Sequence, residues 1–258
     1  MAASDTIPRA GFWKRAHYLN RMSMRELVSA YFRHPTIIIY LVLIAALIGV
    51  AVAFPATPGQ IALSVVLAAL LYPLSWYAIH RFILHGGWMH KHPITAASWK
   101  RTHYDHHQDP YHLEVLFGAI EHTLPAVAVT TAISGWAIGG LGGAAAAFAA
   151  GLITTCLYEF FHCIQHLGFT PKNAWVAEIK RRHMEHHFHD ERGNYGITSF
   201  LPDKLFGTFY DRRERPVKSK TVFNLGYTDD VAERWPWVKE LSGGVAPSGP
   251  RRPEARDA

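Results

Sequence analysis

Charge is absent where a soluble domain would carry it. Residues 35–79 hold no Asp, Glu, Lys or Arg, and residues 122–158 hold none either. A water-soluble fold rarely segregates charge so completely. Membrane spans do, because a charge at the centre of a spanning helix costs roughly 3 kcal/mol. Cysteine is scarce too. Cys156 and Cys163 are two lone thiols near the end of the second apolar block. They exclude a disulfide framework and read as small packing residues. The first 33 residues lack an apolar core run, so a secretory signal is not expected and the first span should stay in the membrane. No nucleic-acid motif is visible despite a net charge of +6. The basic residues flank the apolar blocks, where anionic headgroups would meet them. No nucleic-acid partner is expected.

What is present starts with length. A spanning helix needs about 20 apolar residues. The first block divides at Phe54-Pro55-Ala56-Thr57-Pro58-Gly59, giving spans at 36–53 and 60–79. The second divides at Gly139-Gly140-Leu141-Gly142-Gly143, giving 124–138 and 144–161, with a possible earlier start near Val115. The Gly and Ala content of these last two favours close helix packing. Neither turn carries Lys or Arg, whereas Lys14, Arg15, Arg21, Arg25 and Arg33 precede the first block and Arg81, Lys91, Lys100 and Arg101 lie between the two. The positive-inside rule then puts the N-terminal, middle and C-terminal segments in the cytoplasm. The expected fold is all-α: a multi-pass integral membrane protein of two transmembrane helical hairpins, about four spans, with a cytosolic helical cap. Residues 13–32 read as a surface helix, with Ser23 and Glu26 spaced as a capping box, and with Leu27, Val28 and Tyr31 either toward lipid or packed on the protein as in an ordinary amphipathic helix. The tail from Ser242 reads as disordered.

Seventeen histidines are present, and ten fall into four groups. His80 and His85 end the second span. His103, His106 and His107 follow after 17 residues. His162 and His166 end the fourth span. His183, His186 and His187 follow after 16. The chain is thus an internal repeat: a hairpin, a His pair, then H-x2-HH. Two spans separate the first five histidines from the last five, so an even number of crossings returns them to one face. Residues three and four apart share a helical face, so each triplet is expected to point one way. His80 and His85 diverge by roughly 140° on an ideal helix; either the helix ends between them or a π-bulge re-aims one. Pro73 is a further place for that span to bend.

Ten imidazoles at one face suit late first-row metals rather than Mg²⁺ or Ca²⁺. One ion takes four to six ligands, so ten imply two ions. A neutral ligand set leaves positive charge to offset. Glu159 and Asp105, with Glu185 and Asp190 in the other half, are the candidates for offsetting it and holding the rings; His189, close after the last cluster, is either a ligand, a hydrogen-bond partner of an oxygen species or a further residue behind the rings. Single histidines such as His17, His34 and His122 read as interfacial, and His90, His92 and His112 stay ambiguous. Trp76, Tyr77, Phe82, Trp88, Phe117 and Phe161 flank the motifs and either line a dry pocket or simply pack.

These motifs resemble the fatty acid hydroxylase and sterol desaturase superfamily, membrane enzymes with a histidine-rich di-iron centre. The four His groups match its signature in order and spacing, and Asn194-Tyr195-Gly196-Ile197-Thr198, followed by Asp203-Lys204-Leu205-Phe206-Gly207-Thr208, looks like its C-terminal region. The resemblance covers roughly residues 36–211. It implies two non-haem iron ions, O₂ as co-substrate, and hydroxylation of an unactivated C–H bond of a lipid, an acyl chain being favoured. It divides the chain into an N-terminal tail and interfacial helix (1–35), a membrane di-metal hydroxylase domain (36–211) and a C-terminal cytosolic segment (212–258). Some relatives carry a fused cytochrome b5-like domain. There is no room for one here, and His34-Pro35 is not followed by the glycines of its haem motif. A separate donor, of ferredoxin or cytochrome b5 type with an NAD(P)H reductase, is therefore expected.

Three rivals remain. A desaturase would use the same site and differ in the fate of the substrate radical. A metal transporter would place polar ligands along a mid-membrane path, and the apolar blocks are nearly empty of them. A bis-His haem protein needs paired histidines on facing spans, which the H-x2-HH clusters do not fit.

Overall fold

The structure, a computed structural model, describes residues 17–244. The charge-free stretches form long helices. α1 (Met24–Arg33) leads into α2 (Pro35–Ala53), and α2 pairs with α3 (Pro58–Ala78) as the first hairpin. Thr57 opens α3 with a capping box. Its Oγ1 accepts from the Gln60 amide (3.2 Å), and Gln60 Oε1 accepts from the Thr57 amide (2.9 Å). Pro35 and Pro58 stand at the first helical position, where the missing N–H would have had no partner. Beyond Ala78 the chain continues as a π-helical turn, Ile79–Leu84.

α7 (Ile120–His166) is the second hairpin. Its backbone leaves the helical region at Gly139 and at Gly140, where φ is 57° and ψ −143°. That is a conformation only glycine adopts without strain. The arms fold back on one another through small residues. A Cβ on Gly135 would sit 2.3 Å from the Gly143 carbonyl oxygen, and one on Gly151 would sit 2.8 Å from Thr131. Glycine thus lets the backbones touch, as in packed membrane helices.

The two hairpin tips meet. Gln60 Nε2 donates to the Ile138 carbonyl (2.8 Å), and a Cβ on Gly142 would approach the Phe54 carbonyl oxygen to 2.9 Å. The far ends of α3 and α7, which carry the His pairs, therefore lie together at the other end of the bundle. Three segments, Pro35–Ala53, Pro58–Leu84 and Leu113–His166, are long and apolar enough to cross a membrane. Their outer faces are apolar and bare: Val52 is 83% exposed and Leu70 70%.

The N-terminal expectation needs correcting. A short 3-10 turn (Leu19–Arg21) precedes α1, which begins only after Ser23; residues 13–16 lie outside the described part. The Ser23–Glu26 capping box forms. Val28 and Phe32 are exposed, but Leu27 and Tyr31 are buried against the bundle, where the Tyr31 hydroxyl donates to the Cys156 carbonyl (2.5 Å). α1 thus takes the packed alternative at Leu27 and Tyr31 and leaves Val28 outward.

Short elements cap the His end. α4 (Pro93–Trp99) runs into a second π turn, Lys100–Tyr104, and α5 (Asp105–Gln108); α6 (Leu113–Leu116) leads to α7. α8 (Ala174–Phe188) follows α7, then α9 (Leu201–Leu205), α10 (Asp229–Arg234) and α11 (Trp237–Ser242). Trp99 Nε1 donates to the Leu84 carbonyl (2.6 Å), fastening α4 to the end of α3. Trp99, Tyr104, Tyr227 and Val238 form a separate small core. Tyr227, Ala232 and Val238, all beyond residue 211, are thereby folded onto the cap. The tail expectation falls mostly on residues 245–258, outside the described part.

Candidate metal centre

The ten clustered histidines gather into two groups of five. His80, His85, His103, His107 and His186 form one; His106, His162, His166, His183 and His187 form the other. Within each, one ring nitrogen per residue lies within 4.8 Å of the rest. The groups adjoin, with the His107 and His187 ring centroids 4.3 Å apart.

Local helix geometry explains the membership. Residues 162 and 166, 183 and 187, and 103 and 107 are one turn apart and stay together. His80 and His85 are five apart and still meet, because the chain between them is π-helical: the His85 amide donates to the His80 carbonyl (3.0 Å). The second π turn, which holds His103, carried no sequence signal. The triplets do not point one way, however. His106 and His186 sit about 100° around the helix from His107 and His187. Each therefore crosses to the group built mainly from the other half of the chain. Every group takes four rings from one repeat and one from its partner repeat.

Three rings have their tautomers set by backbone. Nδ1 of His80 donates to the Tyr195 carbonyl (2.7 Å), Nδ1 of His186 to Gly193 (2.8 Å), and Nδ1 of His107 to Val222 (3.0 Å). A carbonyl only accepts, so the proton is on Nδ1 and Nε2 is a bare lone pair. Nε2 of His107 and of His186 is buried without a hydrogen-bond partner. Elsewhere Nε2 atoms face one another. His85 lies 2.7 Å from His103 and 3.2 Å from His80; His162 lies 3.1 Å from His106 and 3.0 Å from His183; His166 lies 2.9 Å from His183. Nitrogens bound at about 2.0–2.1 Å to one ion and roughly at right angles lie about 3 Å apart. Lone pairs turned inward at that spacing fit a shared cation.

Burial holds His85, His103, His106, His107, His183 and His187 well below the usual imidazole pKa, and the neighbouring rings push the same way. Burial also lowers His186, to about 4, against the Gly193 carbonyl, which favours its protonated form. The rings are thus neutral at physiological pH, the state a metal ligand needs.

The acids expected to hold the rings do other work. Asp105 pairs with Lys100 (2.8 Å). Asp190 binds Arg192 and Arg215 (2.8 and 2.7 Å) and reaches His186 only through its field. Glu185 pairs with Arg182 (3.0 Å). His189 belongs to neither group, and its Nε2 donates to the Arg215 carbonyl (2.5 Å). Glu159 is buried one turn before His162; its Oε1 accepts from the Gly118 amide (3.2 Å), and its Oε2 has no partner. Carbonyls replace these acids because the loop at 193–196 and the segment near Val222 lie against the rings. Backbone oxygens belong to every residue, so composition could not have marked them.

The remaining histidines bond or pack elsewhere. His17 and His112 both bind Glu114 (3.1 and 2.6 Å), His122 bonds Ser98 (2.8 Å), His34 stacks on Phe117, and His92 caps α4. His90 packs among Trp99, Tyr227 and Trp235. Of the flanking aromatics, Phe82 and Trp88 are exposed, Phe161 packs on Trp175, and Trp76 packs on Tyr158. The ring lying on His80, His85 and His186 is Tyr195, at centroid distances of 5.2–5.6 Å.

Paired histidine fives able to hold metal ions, at one end of an apolar helical bundle, define a class of membrane-type metal-binding proteins. Within it, residues 65–208 match the model described as fatty acid hydroxylase, and the chain belongs to that family. It is 30% identical over 167 residues to the dihydroceramide fatty acyl 2-hydroxylase FAH2 of Arabidopsis thaliana, covering 58% of this chain and 61% of the relative. It is 29% identical to the fatty acid 2-hydroxylase of Rattus norvegicus (58% and 40% covered). It is 28% identical to the ceramide very long chain fatty acid hydroxylase SCS7 of Saccharomyces cerevisiae (54% and 36%). The matches thus span less than two thirds of these relatives. The fold is similar to a solved structure of full-length scs7p in which only the hydroxylase domain is visible. The TM-score is 0.57 at 23% identity, covering 70% of this chain and 67% of that one.

Proposed function

We propose that the chain is an O₂-dependent, non-haem di-iron hydroxylase that inserts a hydroxyl group into an unactivated C–H bond of a lipid acyl chain. The observation that carries this reading is the pair of adjoining five-nitrogen groups. Each would hold one ion, with five protein ligands apiece. When bound, the iron pair supplies the one-electron O₂ chemistry that breaking an acyl C–H bond requires and acid–base side chains cannot provide. Zinc would fit the nitrogens but has no redox chemistry.

The chain's own residues do the rest. The Tyr195, Gly193 and Val222 carbonyls lock their rings with Nε2 inward. The short helices of the cap bury the imidazoles, nine of the ten to 8% exposure or less, and so keep water from the reacting centre. Glu159, buried one turn before His162, is the acid we assign to offset part of the positive charge of the group containing His162.

The relatives' names place the hydroxyl on carbon 2 of fatty acyl groups, free or in ceramide-type lipids; we extend that position and substrate class to this chain. The arginines and lysines around the His end support assigning it to the cytoplasmic side of a four-pass bundle. There, a separate ferredoxin- or cytochrome b5-type donor with an NAD(P)H reductase would deliver electrons.

Lipid mass spectrometry of cells with and without the gene tests the reading. One added oxygen on the acyl chain of one lipid class, at carbon 2, is expected. Loss of two hydrogens instead would mark a desaturase, and an unchanged lipid profile in cells making iron-loaded protein would contradict both.

A further inference from the structure

The peptide group joining Tyr195 to Gly196 lies between His80 and a buried carboxylate. Its carbonyl accepts from His80 Nδ1 at 2.7 Å, and its N–H donates to Asp203 Oδ2 at 2.8 Å. Asp203 is fully buried. Its Oδ1 accepts from the Tyr195 amide and the Thr208 hydroxyl, both at 2.8 Å. Three donors converge on this side chain, and among the described residues no acceptor faces it, which is the setting of an ionised carboxylate. The hydroxyl donor is itself supplied in series. Thr208 gives its proton to Asp203, so the Tyr77 hydroxyl at 2.9 Å must donate to Thr208, and Tyr77 in turn accepts from Arg81 Nη1 at 2.7 Å. The hydrogen bonds therefore run in one direction, from a guanidinium on the π turn to a carboxylate behind the loop.

We infer that Asp203 is a positioning residue for the metal group containing His80, acting through the Tyr195–Gly196 peptide. A negative charge at an amide N–H pushes electron density onto the carbonyl oxygen of the same peptide, because hydrogen bonds in a chain polarise one another. The stronger acceptor draws on the His80 Nδ1 proton and raises the basicity of Nε2. Metal-bound histidines commonly get this support from a carboxylate directly; here one peptide group stands between. The neighbouring ring gives the contrast. His186 donates to the Gly193 carbonyl, but the amide of that peptide, on Asn194, donates to the neutral Thr208 carbonyl (3.0 Å). Gly196 leaves no slack: a Cβ there would lie 2.2 Å from the Ser199 carbonyl oxygen and 3.0 Å from Asp203 Oδ2.

This inference rests on the metal reading above, and Co²⁺ titration of the full chain in detergent separates the two. Wild-type protein should take two Co²⁺, and failure to do so counts against the metal reading itself. Asp203→Asn should weaken one of the two by about 10–100-fold and shift its visible d–d band. That band is identified by its loss in His85→Ala, and the other ion should keep its affinity and spectrum. Wild-type affinity and spectrum at both sites in a folded Asp203→Asn protein, with only thermal stability lowered, would assign Asp203 a merely structural role and overturn the inference. Should Asp203→Asn fail to fold, Thr208→Val decides. It keeps the carboxylate and removes one donor, and the same band should move with both ions bound; an unmoved band overturns the inference.

Discussion

His106 and His107 are neighbours in sequence and members of different groups. Nε2 of His106 lies 3.1 Å from that of His162, whereas His107 joins His80, His85, His103 and His186. His186 makes the reciprocal crossing. The repeat in the sequence is therefore not a division of the site into two independent halves. Each half completes its own group only with a ring borrowed from the other.

This interleaving predicts the metal content of variants. His106→Ala should lower bound metal below two ions per chain by weakening the group of His162, and His107→Ala should weaken the other group. Either should abolish turnover, as should His186→Ala. Elemental analysis of purified protein, with the double variant His80→Ala/His85→Ala as reference for loss of one group, checks the assignment. Additive loss from His106→Ala and that double variant is expected. If His106→Ala removed nothing further from the double variant, His106 would belong to the group of His80.

The cap beyond Asp211 should be required for the site. Val222 supplies the carbonyl that orients His107, and Gln108 Nε2 donates to the Phe223 carbonyl one residue on. A chain ended at Pro216 should therefore lose metal from the group of His107 before it loses the helical bundle. Circular dichroism alongside metal analysis tells the two apart; a truncated protein with full metal would contradict the prediction.

Gly140→Ala should destabilise the bundle without touching the site. Nothing lies within 4 Å of a Cβ at this position, so the whole effect is backbone strain at φ 57° and ψ −143°. Strain of this kind costs about 1–3 kcal/mol. Unfolding in mixed detergent micelles measures it, and equal stability would show that the hairpin turn relaxes.

Asp190 gives a prediction with a pH signature. Burial alone would raise its carboxyl pKa, but hydrogen bonds from Arg192 and Arg215 outweigh it and hold the group below its usual value. A carboxylate whose folded pKa is depressed stabilises the fold above its unfolded pKa of about 3.9, and that contribution fades as pH falls through the folded value. Asp190→Asn should cost about 1.5–3 kcal/mol near neutral pH, the range for bonds to a charged group. The gap to wild type should close in strong acid. A gap independent of pH would mean that packing, not charge, is what Asp190 supplies.

Much of this layout was legible in the residues. The Phe54–Gly59 and Gly139–Gly143 breaks mark the hairpin turns because Pro and Gly are clustered there, whereas the lone Pro73 and Pro125 stay inside helices. The five-residue step from His80 to His85 left either a helix end or a π-bulge, because an α-helix would have separated the rings, and the chain takes the π turn. Other features left no mark. The crossing of His106 and His186 depends on how α5 and α8 are rotated about their axes, which spacing alone leaves open. The orienting groups are carbonyls, invisible in composition, and acids such as Asp105 found nearer cations. Asp203 lies 16 residues past His187 and reaches the site only because the 193–196 loop folds back under His80. The place of Tyr31 on an amphipathic helix leaves lipid and protein equally open, and a carbonyl on α7 claims its hydroxyl.

The most direct test of the central claim is X-ray absorption at the iron edge, with metal analysis, on protein reconstituted anaerobically with Fe²⁺. Two irons per chain in a shell of imidazole nitrogen are predicted, with the nitrogen count at each falling when His106 or His186 is replaced. A single iron per chain, or a shell dominated by oxygen or sulfur, would contradict it.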